Sequence, residues 1–479
     1  MAAGIAFLLN GRETRTSLPP GTALVDFLRD EQRLTGTRVG CREGDCGACT
    51  VLLGRLQDGR VRYRAVASCL FPLGDVAGGH VVTIEGLNND GLTPVQQAFV
   101  SEGASQCGFC TPGLVVSLTG FLLEDAALEP DDAVSAVEGN ICRCTGYAAI
   151  RRAIERLLRE VRPAILAGAG PEARLAALAF LGVVPAFFTG IAERLGTLSA
   201  GAPPPAPKRE SAGAVVVAGG TDLYVQRGPE LAERELRLLS QRDGFAGIWP
   251  APDRLFIGAA ATVADLMESP LVAAAFPPLP GFLRLVSSTQ VRNRATVGGN
   301  IVNASPIGDL SVILLALDAS IGLRRGARSR ELKLREFFLG YKKLNLKPGE
   351  VVAWLGVPVA RQGVRLHFEK VARRRRQDIA SVNAAIGLEA ENGRIASAHA
   401  AAGGVAPVPL YLRRASAFLA GREVSPATVR EFIDIAASEI APISDVRGAA
   451  AYKRALLRRL LFAHFLELFP DRVGAGDLP

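Results

Sequence analysis

The sequence predicts an α+β protein of several domains, and three observations carry that reading. At 479 residues the chain is long enough for about three domains of roughly 150 residues. All eight cysteines lie before residue 145, and the proline cluster Gly201–Glu210 (GAPPPAPKRE) then separates a Cys-containing front from a Cys-free back. The front passes from strand-like runs to four punctuated helical stretches, whereas the back alternates short strands and helices.

The elements follow in order. Ile5–Leu9, Asn10-Gly11 and the stretch to Leu18 read as a β-hairpin, because Asn-Gly tolerates the positive φ of a tight turn. Thr22 is placed to cap a short helix over Ala23–Gln32. Strands are expected at Thr50–Leu53, Val61–Val66 and Val81–Ile84, giving a small mixed sheet with one helix across it. Thr93-Pro94-Val95-Gln96 is a capping box with proline in the first turn, and Gly103 follows that helix. Thr111-Pro112 starts a second helix to about Glu124, Pro130–Glu138 forms a third, and Thr145 is placed to cap a fourth through about Arg159. In the back, strands are expected at Val215–Ala218, Leu255–Ala259, Val297–Val302 and Ile321–Leu323, with helices at Val263–Met267 and Leu271–Phe276. More strands follow Val351, then helices at Pro426–Ala436 and Ala449–Leu468.

Composition excludes several classes. With 49% apolar and 21% charged residues the chain is neither disordered nor fibrous. A net charge of +8 over 479 residues is too weak a field to argue for nucleic acid. The N-terminus MAAGIAFLLNGRETR has no basic start before a long apolar run, so the expectation is a cytosolic protein. Leu175–Ala192 is 18 residues without a charge, but Pro185 interrupts it and Arg174 and Glu193 flank it closely. It reads as a buried or docking helical segment, not a membrane span.

The cysteines carry the chemistry. Cys41-x4-Cys46-x2-Cys49, followed after 19 residues by Cys69, is the plant-type spacing for a two-iron two-sulfur cluster. The small residues of CREGDCGAC suit a loop that turns its backbone N–H groups toward an anion. The second group is Cys107-x2-Cys110 and, 31 residues on, Cys142-x-Cys144, each half lying just before an expected helix start at Pro112 or Gly146. A structural zinc remains open for that group, whose Cys-x2-Cys half fits it. A disulfide framework is disfavoured by chain length and the lack of a secretion signal.

CREGDCGACT, QCGFCTPG and NICRCTGY together closely resemble the iron-sulfur region of molybdenum hydroxylases of the xanthine dehydrogenase and aldehyde oxidase type. The resemblance implies that Cys41, Cys46, Cys49 and Cys69 hold one 2Fe-2S cluster on a plant-ferredoxin-like β-grasp (residues 1–90). It implies that Cys107, Cys110, Cys142 and Cys144 hold another in a four-helix bundle (91–165). A linker (166–210), a two-subdomain vanillyl-alcohol-oxidase-like FAD domain (211–358) and a C-terminal α+β flavoprotein domain (359–479) complete the implied architecture.

The back half has two Gly-Gly elements, VVVAGGTDL and ATVGGNIVNASPIGD, that could approach a pyrophosphate, and no G-x-G-x-x-G fingerprint. In the resembling family these are FAD-binding segments. Carried across, Val216, Val217, Ala218, Gly219, Gly220, Thr221, Asp222 and Leu223 line the pyrophosphate and ribityl chain. Thr296, Gly299, Asn300 and Asp309 contact the cofactor, and Val352 and Lys370 lie beside the flavin ring. Val286 stands where many relatives place a stacking Phe, and Ser311 where bacterial relatives tend to have Pro. The basic run Arg373, Arg374, Arg375 and Arg376 reads either as a solvated loop or as a site attracting the phosphates of a dinucleotide beside the flavin.

The four histidines, His80, His367, His399 and His464, are scattered and form no acid-base constellation. Nothing in the chain supplies the family's molybdopterin domain. The resemblance therefore implies a large molybdopterin-binding partner chain, in an α2β2 heterotetramer, whose electrons pass through both clusters to FAD and then to NAD+. Gln106, beside Cys107, matches a family residue that hydrogen-bonds the pterin. No nucleic acid or membrane is expected as a partner. Two other classes stay open: a stand-alone NADH-dependent iron-sulfur flavoprotein reductase, and a colourless zinc-stabilised nucleic-acid-binding protein.

Overall fold

Asn10 adopts φ +53°, and on that left-handed residue β1 (Ile5–Leu9) turns back into β2 (Arg12–Thr16). In the computed structural model, which describes residues 4–124, 127–168, 170–200, 213–241, 244–359, 364–374, 376–391 and 394–477, the hairpin joins β3 (Thr50–Gln57), β4 (Arg60–Ala67) and β5 (His80–Val82). The order is β2-β1-β5-β3-β4, with β1 and β5 parallel and the other pairs antiparallel. Neighbouring β3 residues point to opposite faces. Val51 packs with Phe7, Phe27 and Val66, while Leu52 packs with the bundle residues Leu114, Val115 and Phe121.

The helix expected over 23–32 is a single turn, Leu24–Asp26, continued by a wide turn through Glu31. Ala23, not Thr22, stands at its cap. The bundle comprises Pro94–Ser101, Thr111–Leu123, Pro130–Ala136 and Ala148–Leu166. Thr93 and Gln96 form the reciprocal capping box. Thr111–Leu123 is buried on every side from Gly113 to Leu122, which explains its apolar composition all round. The fourth helix starts later and runs further than expected. Thr145 does not cap it; Tyr147 stands at the N-cap in a left-handed conformation, while the Thr145 hydroxyl lies 3.1 Å from the Cys142 sulfur and accepts from the Tyr147 N–H at 3.3 Å, ahead of the helix.

The stretch expected as a linker contains helices Pro171–Phe180 and Ile191–Ala200, and Leu178, Val184 and Phe188 enter the bundle core. Leu175–Ala192 is thus a docked segment with a break at Pro185, and among the described residues no helix is long and apolar enough to cross a membrane. Gly201–Glu210 lies outside the described residues, as does Arg375.

The described chain divides into two units: residues 1–241 with 288–294, and 242–287 with 295–479. The first ends in a small βαβ element. Strand Val215–Val217 pairs in parallel with Leu236–Leu238, and helix Thr221–Ala232 connects them.

Among the described residues the second unit has two larger sheets and a two-stranded one, Phe338–Gly340 with Lys343–Leu344. One, a five-stranded sheet, runs Arg328–Lys333, Ser320–Arg325, Val351–Pro358, Arg254–Gly258 and Ile248–Pro250. The other is antiparallel, built from Arg365–Val371, Val382–Glu391, Arg394–Gly403 and Leu410–Tyr411. Helices Pro426–Glu439 and Ala450–Leu468 cover one face of the latter through Phe432, Leu461 and Phe465. The expected strand Val297–Val302 is instead a helix, Val297–Asn303. Thr296 caps it by accepting from the Gly299 N–H at 3.1 Å, and Gly298 lies so close to Ala259 that a Cβ there would stand 2.8 Å from the Ala259 carbonyl oxygen.

Candidate iron-sulfur and flavin sites

The loop between the first helical turn and β3 wraps the first sulfur quartet, and its shape depends on two glycines in left-handed backbone. Gly44 lies at φ +78° and Gly47 at φ +65°. The loop aims N–H groups at sulfur. Those of Glu43, Asp45 and Cys46 are directed at Cys41, that of Ala48 at Cys46, and that of Gly44 at Cys69. Such a nest is built for a cluster whose sulfurs carry negative charge.

All eight cysteines are free thiols, and their sulfurs associate in pairs: Cys41 with Cys46, Cys49 with Cys69, Cys110 with Cys142, and Cys107 with Cys144, the last at 3.6 Å. The hydrogen bond from Cys46 holds Cys41 down at about 5, and the same bond with burial pushes Cys46 up. Cys69 does the same for Cys49 and is itself pushed up. Burial, then Cys142, raises Cys110 to about 12. Each quartet thus falls into two pairs, as two bridged irons taking two thiolates each require. Among the described residues, no group of three or more His, Cys, Asp or Glu side chains is arranged to hold one metal ion. The donor set and the inward N–H groups fit a 2Fe-2S centre at both places.

The two quartets differ in exposure and are joined directly. Cys49 and Cys69 are buried, whereas Cys107 and Cys144 are exposed, with Phe109, Ile141 and Tyr147 exposed around them. The Ile141 N–H donates to the Cys46 carbonyl at 3.0 Å, so one peptide unit separates that contact from Cys142. Asn140 donates to the Gly47 carbonyl at 2.9 Å, while its own oxygen accepts from Ser117 at 2.8 Å and Gln290 at 3.0 Å. Sequence reasoning missed Asn140 and Gln290; Asn140 lies inside the NICRC motif, which was the available signal. Cys110 is the N-cap of Thr111–Leu123, so one half of the second quartet sits at a helix N-terminus. Cys144 lies one loop ahead of Ala148–Leu166. Gln106 is exposed beside Cys107.

The proposed flavin residues fall in both units. In the first, Val217 is buried and Val216 half exposed on the short strand. Ala218, Gly219 and Gly220 form the turn, and Thr221, Asp222 and Leu223 open the helix, with Gly220 at φ +78° as its cap. In the second, Thr296, Gly299 and Asn300 share one helix end, where Asn300 accepts from Ser311 at 3.0 Å. Asp309 is ion-paired to Lys370 at 2.6 Å and accepts from Asn383 at 2.5 Å, and Lys370 also donates to the Leu285 carbonyl at 3.0 Å. Burial pushes the Asp309 carboxyl up, opposed by Lys370. Val286 and Val352 are buried.

Comparisons with known proteins follow this layout. Residues 7–73 match the 2Fe-2S iron-sulfur cluster binding domain and 83–155 a further 2Fe-2S binding domain. Residues 206–360 match the FAD binding domain in molybdopterin dehydrogenase, and 367–468 the CO dehydrogenase flavoprotein C-terminal domain. Xanthine dehydrogenase of Calliphora vicina is 27% identical over 99% of this chain and 40% of its own length. Xanthine dehydrogenase 1 of Arabidopsis thaliana is 28% identical over 96% of this chain and 39% of its own. The chain therefore spans about 40% of the length of these relatives. Among solved structures, a carbon monoxide dehydrogenase from Hydrogenophaga pseudoflava aligns with a TM-score of 0.51 at 29% identity, over 55% of this chain and 91% of that one. The fold and the two thiol quartets define an iron-sulfur flavoprotein. Taken together, the matched domains are those of the iron-sulfur and FAD-binding part of molybdenum hydroxylases, to which this chain is similar along nearly its whole length.

Proposed function

We propose that this chain is the electron-transfer subunit of a xanthine dehydrogenase, accepting electrons from the molybdenum site of a separate large chain and delivering them to NAD+ during oxidation of hypoxanthine and xanthine to urate. One observation carries the reading. A surface-open quartet, rimmed by Phe109, Ile141 and Tyr147, is joined through the Ile141–Cys46 hydrogen bond to a quartet whose Cys49 and Cys69 are buried. Electrons entering from a docked partner at Cys107 and Cys144 would thus be led inward. The clusters supply one-electron steps, and the flavin supplies the exchange between these and a two-electron acceptor.

The chain's own residues position and insulate. Backbone N–H groups around Cys41 and Cys69 stabilise negative charge on sulfur, Gln106 and the exposed rim face the partner's pterin, and the βαβ turn at Gly219-Gly220 presents backbone to the FAD pyrophosphate. The exposed Arg373 and Arg374 are placed to attract a dinucleotide: Arg374 is anchored by the Gln377 carbonyl at 3.0 Å, and Arg373 by that of Val446 at 2.7 Å. Neutralising Arg374 together with Arg375 is expected to raise the Michaelis constant for NAD+, and an unchanged value removes that role.

A second reading is the same relay serving another molybdenum chain, with an aldehyde or N-heterocycle substrate; the likeness to a carbon monoxide dehydrogenase supports only that the relay need not serve a purine. The deciding experiment is iron, zinc and flavin analysis of the purified protein with its subunit masses, followed by substrate assay. Four irons and one FAD per chain with a co-purifying molybdenum chain support the relay. A lone chain with full NADH reductase activity, or zinc in either quartet, overturns it.

A further inference from the structure

Asp75 is fully buried, and two guanidinium groups converge on it. Arg55 reaches in from β3 and donates to the backbone carbonyls of Asp75 and, at 2.6 Å, Ala77. Arg294, immediately before the ATVGGN segment, pairs with the Asp75 carboxylate, whose other oxygen accepts from Ser240 at 2.7 Å. The Arg294 guanidinium also lies over the Phe71 ring at 4.4 Å, two residues beyond Cys69. It also donates to the double-glycine turn, Nε to the Gly219 carbonyl at 2.6 Å and Nη2 to the Ala218 carbonyl at 3.0 Å. The Arg294 side chain is only 11% exposed, so this fork is held in place from several sides.

The consequence follows from the peptide unit. In a trans peptide the C=O and the N–H of one plane point in opposite directions, and the chain has no cis peptide among its described residues. By drawing the carbonyls of Ala218 and Gly219 toward itself, Arg294 turns the N–H groups of Gly219 and Gly220 to the other side of the turn. Gly220 at φ +78° then leads into the helix Thr221–Ala232, whose N-terminus carries the positive end of its dipole.

We propose that Arg294 is a positioning residue for the pyrophosphate of the bound FAD, acting through the Ala218–Gly220 backbone, with Asp75 and Phe71 holding its guanidinium beside the Cys69 loop. The proposal rests on the reading of Val216–Leu223 as the pyrophosphate segment. The same side chain ties the flavin turn to the loop of the first sulfur quartet, so the spacing of those two redox sites is held by one buried fork.

The test compares wild type, Arg294→Met and Arg294→Lys in the assembled complex after flavin removal, titrating each with FAD and with riboflavin, which has the ring and no phosphate. Iron content and the visible circular dichroism of the clusters report folding. Arg294→Met is expected to weaken FAD about tenfold to a hundredfold while riboflavin binding changes by less than about twofold. Arg294→Lys, a point charge without the fork, is expected to fall between, and it carries the test if the methionine variant loses its clusters. An unchanged ratio of FAD to riboflavin affinity in the folded variants overturns the proposal. A wild-type protein that takes up no FAD overturns the flavin reading itself, a different failure.

Discussion

The side chain of Asn140 closes onto the backbone of Gly47: its amide donates to the Gly47 carbonyl at 2.9 Å, 93 residues away, and so binds the two cysteine loops into one body. Asn140 is 3% exposed, and its oxygen is shared by Ser117 and Gln290. Replacing it with Leu removes three buried hydrogen bonds, while the Gly47 carbonyl keeps Thr50 and the Gln290 amide keeps Ser117 and the Ala136 carbonyl, so the cost is about 1–2 kcal/mol. Denaturant unfolding followed by the clusters' visible circular dichroism should show a lower midpoint, and a wild-type midpoint would refute the role.

Gly47 offers a matched pair of variants. At φ +65° a Cβ there would meet the Gly139 carbonyl oxygen at 2.4 Å, whereas Gly59, at φ +78°, has nothing within 4 Å. Gly59→Ala is expected to cost only the backbone strain, about 1 kcal/mol. Gly47→Ala must also push the two loops apart, so its protein should hold less iron per chain. Equal iron in the two variants would show that the loops are not in contact.

Lys370 and Asp309 form a largely buried pair 2.6 Å apart. Lys370→Met leaves the Asp309 carboxylate beside Asn383 without its cation, and truncating one member of such a pair costs about 3–5 kcal/mol. Thermal unfolding of the variant should begin at lower temperature, and adding Asp309→Asn should restore much of the loss. Additive losses in that double variant would exclude the coupling.

Buried histidines set an acid limit. His80 donates from Nε2 to the Asn10 carbonyl at 2.7 Å, which leaves Nδ1 to accept from the Tyr63 hydroxyl at 2.8 Å, and burial lowers its pKa from 6.5 to about 4. His464, paired with His367 at 2.9 Å, is likewise pushed well below its ordinary value by burial. A depressed folded pKa means that the unfolded chain binds the proton first. Stability is therefore full above pH 6.5 and falls as pH drops toward 4, with about 3 kcal/mol at stake for His80. Unfolding measured from pH 7.5 to 5 should show this slope, His80→Phe should flatten it, and an unaltered slope would refute the assignment.

Much of the architecture was legible because its signals are local. Asn10-Gly11 sets a turn by its own φ, and Thr93 and Gln96 satisfy each other's backbone three residues apart. Local reading failed where a distant group competed. Thr145 has the chemistry of a cap, but its hydroxyl meets the Cys142 sulfur and the Tyr147 N–H ahead of the helix. Val297–Val302 has the composition of a strand, yet Thr296 caps it and Gly298 presses on Ala259, so the segment is helical. Arg294 and Asp75 showed no signal because their meaning arises only when residues 219 positions apart meet.

Sequence alone determined the donor chemistry: eight thiols in two spaced groups, and glycines where loops and phosphate turns need positive φ or close approach, all properties of short stretches of chain. Tertiary structure decided which sulfur pairs with which, which quartet faces the surface, and which buried arginine holds the carbonyls of the Ala218–Gly219 turn. Those facts depend on contacts between segments far apart in the chain, and such contacts exist only once the apolar faces of sheet and bundle have closed on each other.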